Sequence, residues 1–236
     1  MIKNLVLLIF MAFVSTAFAS TPRVLIFSKT EGFRHTSIEI GVRAMQELAT
    51  ENNFEIIHTE DASKFTASFL GQFELIIFLN TTGDILNEEQ QSSFENFIKS
   101  GGSFMGIHSA ADTEYDWPWY GKLVGAYFLS HPDQVQADIH VLNSEHVSCK
   151  HLPKVWTRFD EWYNYKNISP DINILLQLDE TSYAGGENGT NHPIAWYQEY
   201  DGGRMFYTGG GHTEASYSEK DFRQHLLGGI NYCLKK

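Results

Sequence analysis

The first half of the chain repeats one pattern: a short apolar run, a polar loop, then a stretch with helical spacing. The runs are 21–28 (TPRVLIFS), 54–58, 74–79 (ELIIFL) and 103–107 (SFMGI). Each has the length of one strand, and the third and fourth show no alternation, as expected of strands buried on both faces. Between them, Ile38, Val42, Met45 and Ala49 keep helical spacing, as do Phe94, Phe97 and Ile98. Thr36 with Glu39 and Asn87 with Gln90 have the spacing of capping boxes at the two helix starts. Strands alternating with helices predict an α/β fold with a parallel sheet and right-handed crossovers.

The second half is less regular. Residues 135–142 and 172–178 read as strands. Residues 193–200 and 204–208 flank Asp201-Gly202-Gly203, which predicts a hairpin. A last helix starts near Ser218. Two stretches, 112–134 and 180–192, read as long irregular loops, which in a compact domain usually carry function.

The N-terminus follows another logic. Lys3 precedes an apolar core at 5–14 and a small-x-small site, Ala17-Phe18-Ala19. This predicts a signal peptide, 1–19, and a periplasmic or secreted single domain, 20–236, with no stable membrane insertion after cleavage. Acidic residues outnumber basic ones 29 to 17, which argues against nucleic-acid binding. Of the two cysteines, Cys233 shares a helical face with Phe222, Leu226 and Ile230. It reads as a buried thiol rather than the partner of Cys149. N-x-S/T triplets at Asn80, Asn167 and Asn188 matter only in a host that glycosylates exported chains.

In an open parallel sheet, ligands bind beyond the carboxyl ends of the strands. The first predicted strand is followed by Thr30, Phe33 and His35, and the third by Thr82. The fourth runs into His108, Ser109 and Asp112, and the late hairpin into His212 and Glu214. His131 joins them from the long loop. A single loop histidine is more often a hydrogen-bonded turn residue than a ligand. His108 and His212, each after a glycine-rich turn, are assigned function together. Trp117, Trp119 and Tyr120, with Trp162, Tyr163 and Tyr165, offer flat faces for a sugar ring. Taken one by one they fit ordinary packing. Beside Asp160, Glu161 and Asn164 the group fits a sugar-sized pocket.

The ordered set EGFRHTSI (31–38), NTTGD (80–84), GGSFMGIHSAADT (101–113), YDWPWYGKLVGAYFLSHP (115–132), DEWY (160–163) and GGGHTE (209–214) resembles the ThuA-like, trehalose-utilisation family. The resemblance implies a class I glutamine amidotransferase-like fold, a flavodoxin-like three-layer sandwich with a mostly parallel sheet. An amidotransferase presents its cysteine on a turn that here reads Gly106-Ile107-His108-Ser109-Ala110, and its later His and Glu fall on His212 and Glu214. With His108 in place of the thiol, glutaminase activity is expected to be absent.

The resemblance further implies a role in disaccharide or glycoside use, including 3-keto sugars made by a partner sugar oxidoreductase. The expected chemistry is that of a lyase, hydrolase or isomerase. His108 or His212 serves as base, Glu214 orients His212, and Asp112 or Glu161 acts as acid or hydroxyl ligand. Thr30, Phe33, Thr82, Trp117, Glu161 and Tyr163 line the sugar site. A divalent metal (zinc, manganese or iron) held among His35, His108, His131 and His212 is the expected cofactor, with no nucleotide cofactor. The alternatives are a carbohydrate-binding protein without catalysis, and a hydrolase of another substrate.

Overall fold

The structure is a computed structural model and describes residues 21–235. The segment read as a signal peptide, 1–19, lies outside the described residues. The expected early strands are present as β1 (Arg23–Phe27), β2 (Glu55–Thr59), β3 (Leu75–Leu79) and β4 (Ser103–Ile107). Helices α1 (Ile38–Asn52), α2 (Ala67–Leu70) and α3 (Glu88–Lys99) connect them. β3 and β4 are buried along their whole length.

Only one of the two capping boxes forms. Asn87 and Gln90 exchange both bonds at the start of α3. At α1 the N-cap is Ser37, with no side-chain cap bond. Its hydroxyl donates to Gly211 O at 3.1 Å, and Glu39 pairs with Arg34. A long-range bond to the 209–214 loop has displaced the local cap.

The second half adds α4 (Pro118–Val124), β5 (Tyr127–Ser130), β6 (Val135–Val141), β7 (Val155–Asp160), β8 (Asn164–Lys166), β9 (Asn173–Leu178), β10 (Pro193–Tyr200), β11 (Gly203–Thr208) and α5 (Lys220–Cys233). The stretch 112–134 is therefore not irregular. Pro118 opens α4, where its missing N–H costs nothing, and left-handed Gly125 (φ 89°) closes it. β7 escaped the hydropathy reading because its buried positions include Arg158 and Asp160.

Nine strands form one sheet in the order β2-β1-β3-β4-β11-β10-β9-β6-β7. The first five run parallel, in the flavodoxin-like order 2-1-3-4-5. The remaining pairings are antiparallel, and β10 and β11 make the expected hairpin. Cys149 and Cys233 are both free and buried. No helix among the described residues is long and apolar enough to cross a membrane.

α5 buries His225 completely. Its ring packs near Trp156, Phe206 and Phe222, and Nδ1 donates to Ser148 O at 2.9 Å. Burial lowers its pKa to about 3. The unfolded ring protonates below the ordinary value near 6.5, whereas the folded one stays neutral. Stability from this residue is therefore complete above pH ~6.5 and declines as pH falls toward 3. At pH 5 the loss is about 2 kcal/mol. His225→Phe should lose less stability than wild type between pH 7.5 and 5.0, by about that amount. Urea unfolding at both pH values measures this, and an unchanged difference would count against it.

Candidate active site

The site is built where β4 ends. His108 sits in the left-handed region (φ 49°), a conformation that costs a non-glycine residue about 1 kcal/mol. Its surroundings hold it there. A Cβ on Gly106 would lie 2.9 Å from the Tyr207 ring, so only glycine lets that ring approach. The Tyr207 hydroxyl then donates to His108 O at 2.7 Å. The turn is thus a sharp strand-to-helix elbow, with an imidazole at its tip.

His108 Nδ1 lies 2.9 Å from Gly209 O. A carbonyl can only accept, so Nδ1 carries a proton, and Nε2 is the ring atom turned toward the site. His212 Nδ1 lies 3.2 Å from that Nε2 and 3.0 Å from Glu161 Oε2. The His35 ring centre is 5.0 Å from both other imidazoles. One ligand atom from each of His35, His108, Glu161 and His212 falls within 4.8 Å of every other. Three imidazole nitrogens and one carboxylate oxygen at that spacing can hold a single divalent ion of the zinc, manganese or iron type.

The electrostatics suit such a ligand set. Burial, reinforced by the neighbouring imidazoles, lowers the His35 pKa to about 2, so the ring stays neutral. Burial opposes ionisation of Glu161, but the neighbouring imidazoles of His108 and His212 outweigh it and hold the carboxyl well below the usual range.

Asp160, next to Glu161 at the end of β7, positions the loop that carries His212. Its Oδ2 accepts from Gly211 N at 2.8 Å and from the Ser216 hydroxyl at 2.9 Å. Its Oδ1 accepts from His212 N at 3.1 Å and Thr213 N at 3.2 Å. Arg158, also buried, pairs with Oδ2 at 3.1 Å. The end of β7 therefore sets two ligands: Glu161 directly, and His212 through Asp160.

The other sequence-derived candidates fall in different places. His131 is outside the four-ligand group. It is partly exposed, and its Nδ1 lies 3.3 Å from the other Glu161 oxygen. The Glu214 side chain is exposed and contacts nothing at His212 among the described residues. The orienting work expected of it falls to Asp160 and Glu161. Trp117 packs near Phe94, Trp119 and Tyr120 and donates to Glu95. It is a core residue, away from the cluster. Ser109 is fully buried, with its hydroxyl 3.4 Å from His35 Nδ1.

Tyr163, Asp112 and Phe33 lie next to residues of the cluster, and Thr30 and Thr82 hold the loop that carries Phe33. The Tyr163 ring centre is 4.2 Å from that of His108. Asp112 follows the elbow and accepts from the Tyr115 hydroxyl; burial outweighs that bond and raises its pKa. Thr30 bridges to Thr82, and the Thr82 hydroxyl donates to Phe33 O at 2.9 Å. Phe33 reaches the edge of the site, its ring centre 4.9 Å from that of His35.

A family model described as trehalose utilisation, ThuA, matches residues 23–233. The fold resembles that of a ThuA-like protein from Bacteroides uniformis ATCC 8492, with a TM-score of 0.79, 22% identity and 96% of each chain covered. A ThuA-like protein from Parabacteroides merdae ATCC 43184 gives a TM-score of 0.74 at 18% identity, covering 92% of this chain and 91% of the other. PurLQS from Thermotoga maritima gives 0.56 at 15% identity, covering 90% and 99%. At these identities the likenesses bear on fold alone. None of the curated proteins compared matches the chain.

Proposed function

The chain belongs to the ThuA family, described as trehalose utilisation, and from that premise we propose that it acts on a disaccharide, a glycoside or its 3-keto derivative by metal-assisted acid–base chemistry. The carbohydrate-related role comes from the family. The observation that carries the chemistry is the four-ligand group of His35, His108, Glu161 and His212 beyond the strand ends.

This reading assigns the residues as follows. His35, His108, His212 and Glu161 hold the ion, so neither His108 nor His212 is left to act as base. When bound, the ion polarises the substrate carbonyl. A ketone at C3 acidifies the proton at C2. Asp112, on the turn after His108 and braced by Tyr115, takes that proton. The C1 substituent leaves with its bonding electrons, a C1–C2 double bond forms, and the proton passes to the departing oxygen. Tyr163 packs beside His108. In this reading the protein works outside the cytoplasm, in the periplasm or beyond, downstream of a sugar oxidoreductase.

The test is calorimetric. Chelator-stripped protein should take up one equivalent of zinc, manganese or iron(II), and turnover of a 3-keto glycoside should follow occupancy. Full turnover in excess chelator, with no stoichiometric uptake, would sink the proposal.

A further inference from the structure

Phe33 is 66% exposed, the largest exposure of any large apolar side chain among the described residues. Single exposed apolar residues are ordinary on protein surfaces. Phe33 is set apart by how firmly its backbone is held and by what stands next to it. Its carbonyl accepts from the Thr82 hydroxyl at 2.9 Å. Glu31 N donates to Thr82 O at 2.8 Å. On the other side, Arg34 forks onto Glu60 and Glu39. The loop is pinned on both flanks, and the one large apolar group left in water is the Phe33 ring. That ring meets His35 at 87°, so it is ordered against a member of the ligand cluster.

We propose that Phe33 is the shelf on which the C–H face of a pyranose ring lies while an oxygen of the sugar reaches the cluster. The inference rests on the carbohydrate reading above. A sugar ring has one face of axial C–H bonds, which packs on an aromatic surface, and a rim of hydroxyls, which needs polar partners. Phe33 supplies the first requirement. His131, 3.3 Å from Glu161, and Tyr163, beside His108, stand near the cluster to meet the second. A rigid ring also serves better than a mobile one, because little side-chain entropy is lost on binding.

The experiment uses metal-loaded protein and two probes, trehalose and its 3-keto derivative. An aromatic contact of this kind is worth up to about tenfold in affinity. Phe33→Ala should weaken binding of at least one probe by about fivefold to tenfold, raise KM more than it lowers kcat, and leave metal affinity unchanged. Phe33→Trp should restore binding, and its fluorescence should shift on adding the sugar. Equal sugar affinity in Phe33→Ala and wild type overturns the shelf. So does a parallel fall in metal affinity, which would make Phe33 a prop for His35. A changed sedimentation coefficient with unchanged sugar affinity assigns the ring to a protein contact and overturns it too. If wild-type protein binds neither sugar, the carbohydrate reading itself fails, and the shelf with it.

Discussion

Replacing His108 with alanine should lower the affinity for a divalent ion by more than about a hundredfold, and turnover should fall with it. Loss of a partner that merely orients a ligand already costs ten- to hundredfold, and His108 is read as a ligand. Its loss also frees Gly209 O, which bonds Nδ1 at 2.9 Å, and opens a hole beside Tyr163. A second variant separates chemistry from backbone. His108→Gly should bind metal as poorly as His108→Ala but be more stable than it by about 1 kcal/mol, because glycine adopts φ 49° without strain. Titration calorimetry with zinc and urea unfolding read the two effects apart. Retained metal affinity in either variant would remove His108 from the ligand set.

Asp160→Asn should destabilise the fold by about 3 kcal/mol or more, the usual cost of breaking a buried ion pair from one side. The carboxylate is fully buried and faces donors only: three amides of the 211–213 loop, the amide of Glu161, the Ser216 hydroxyl and Arg158. Asparagine brings an NH2 group toward some of them, so at least one buried donor loses its acceptor. Arg158 keeps Glu219 as a partner at 3.1 Å, which tempers the loss. The damage should concentrate in residues 211–213, whose amides should exchange with solvent much faster than those of β3 and β4. Exchange raised evenly across the sheet would show that Asp160 stabilises globally and does not specifically hold His212.

The parallel half of the fold was legible because hydropathy reports burial, and β3 and β4 are buried on both faces. The same signal located His108 and His212, each just past an apolar strand and beside glycines. For Glu161 the sequence suggests an acid or hydroxyl ligand and not a place in the metal set. It follows β7, whose inward positions include an ion pair instead of aliphatic side chains, so the strand left no apolar trace. Analogy with a His-Glu pair sets Glu214 beside His212, whereas the fold turns its side chain to solvent. Trp117 lies in an aromatic-rich stretch that fits a sugar pocket and a packed core equally well. Only the position of α4 against α3 decides between them. His131 missed the ligand group by a short distance, a matter of loop path that no periodicity encodes.

β7 ends the sheet, yet its carboxyl end touches the loop after β11. Four strand spacings of about 4.8 Å would set the two roughly 19 Å apart on a flat surface. The loop from Thr208 to Gly211 spans at most about 10 Å of that. The Asp160 side chain and its hydrogen bond to Gly211 cover part of the difference, and curvature of the antiparallel half covers the rest, with α5 packed on that face. Arg158 on β7 stacks 4.4 Å over Phe222 of α5, whereas Gly229 of the same helix faces Phe206 of β11. The helix therefore works as a former around which the sheet is wound. A volume change on the face of α5 that meets Arg158 and Phe206 is therefore expected to shift Glu161 relative to the histidines without touching any residue of the cluster.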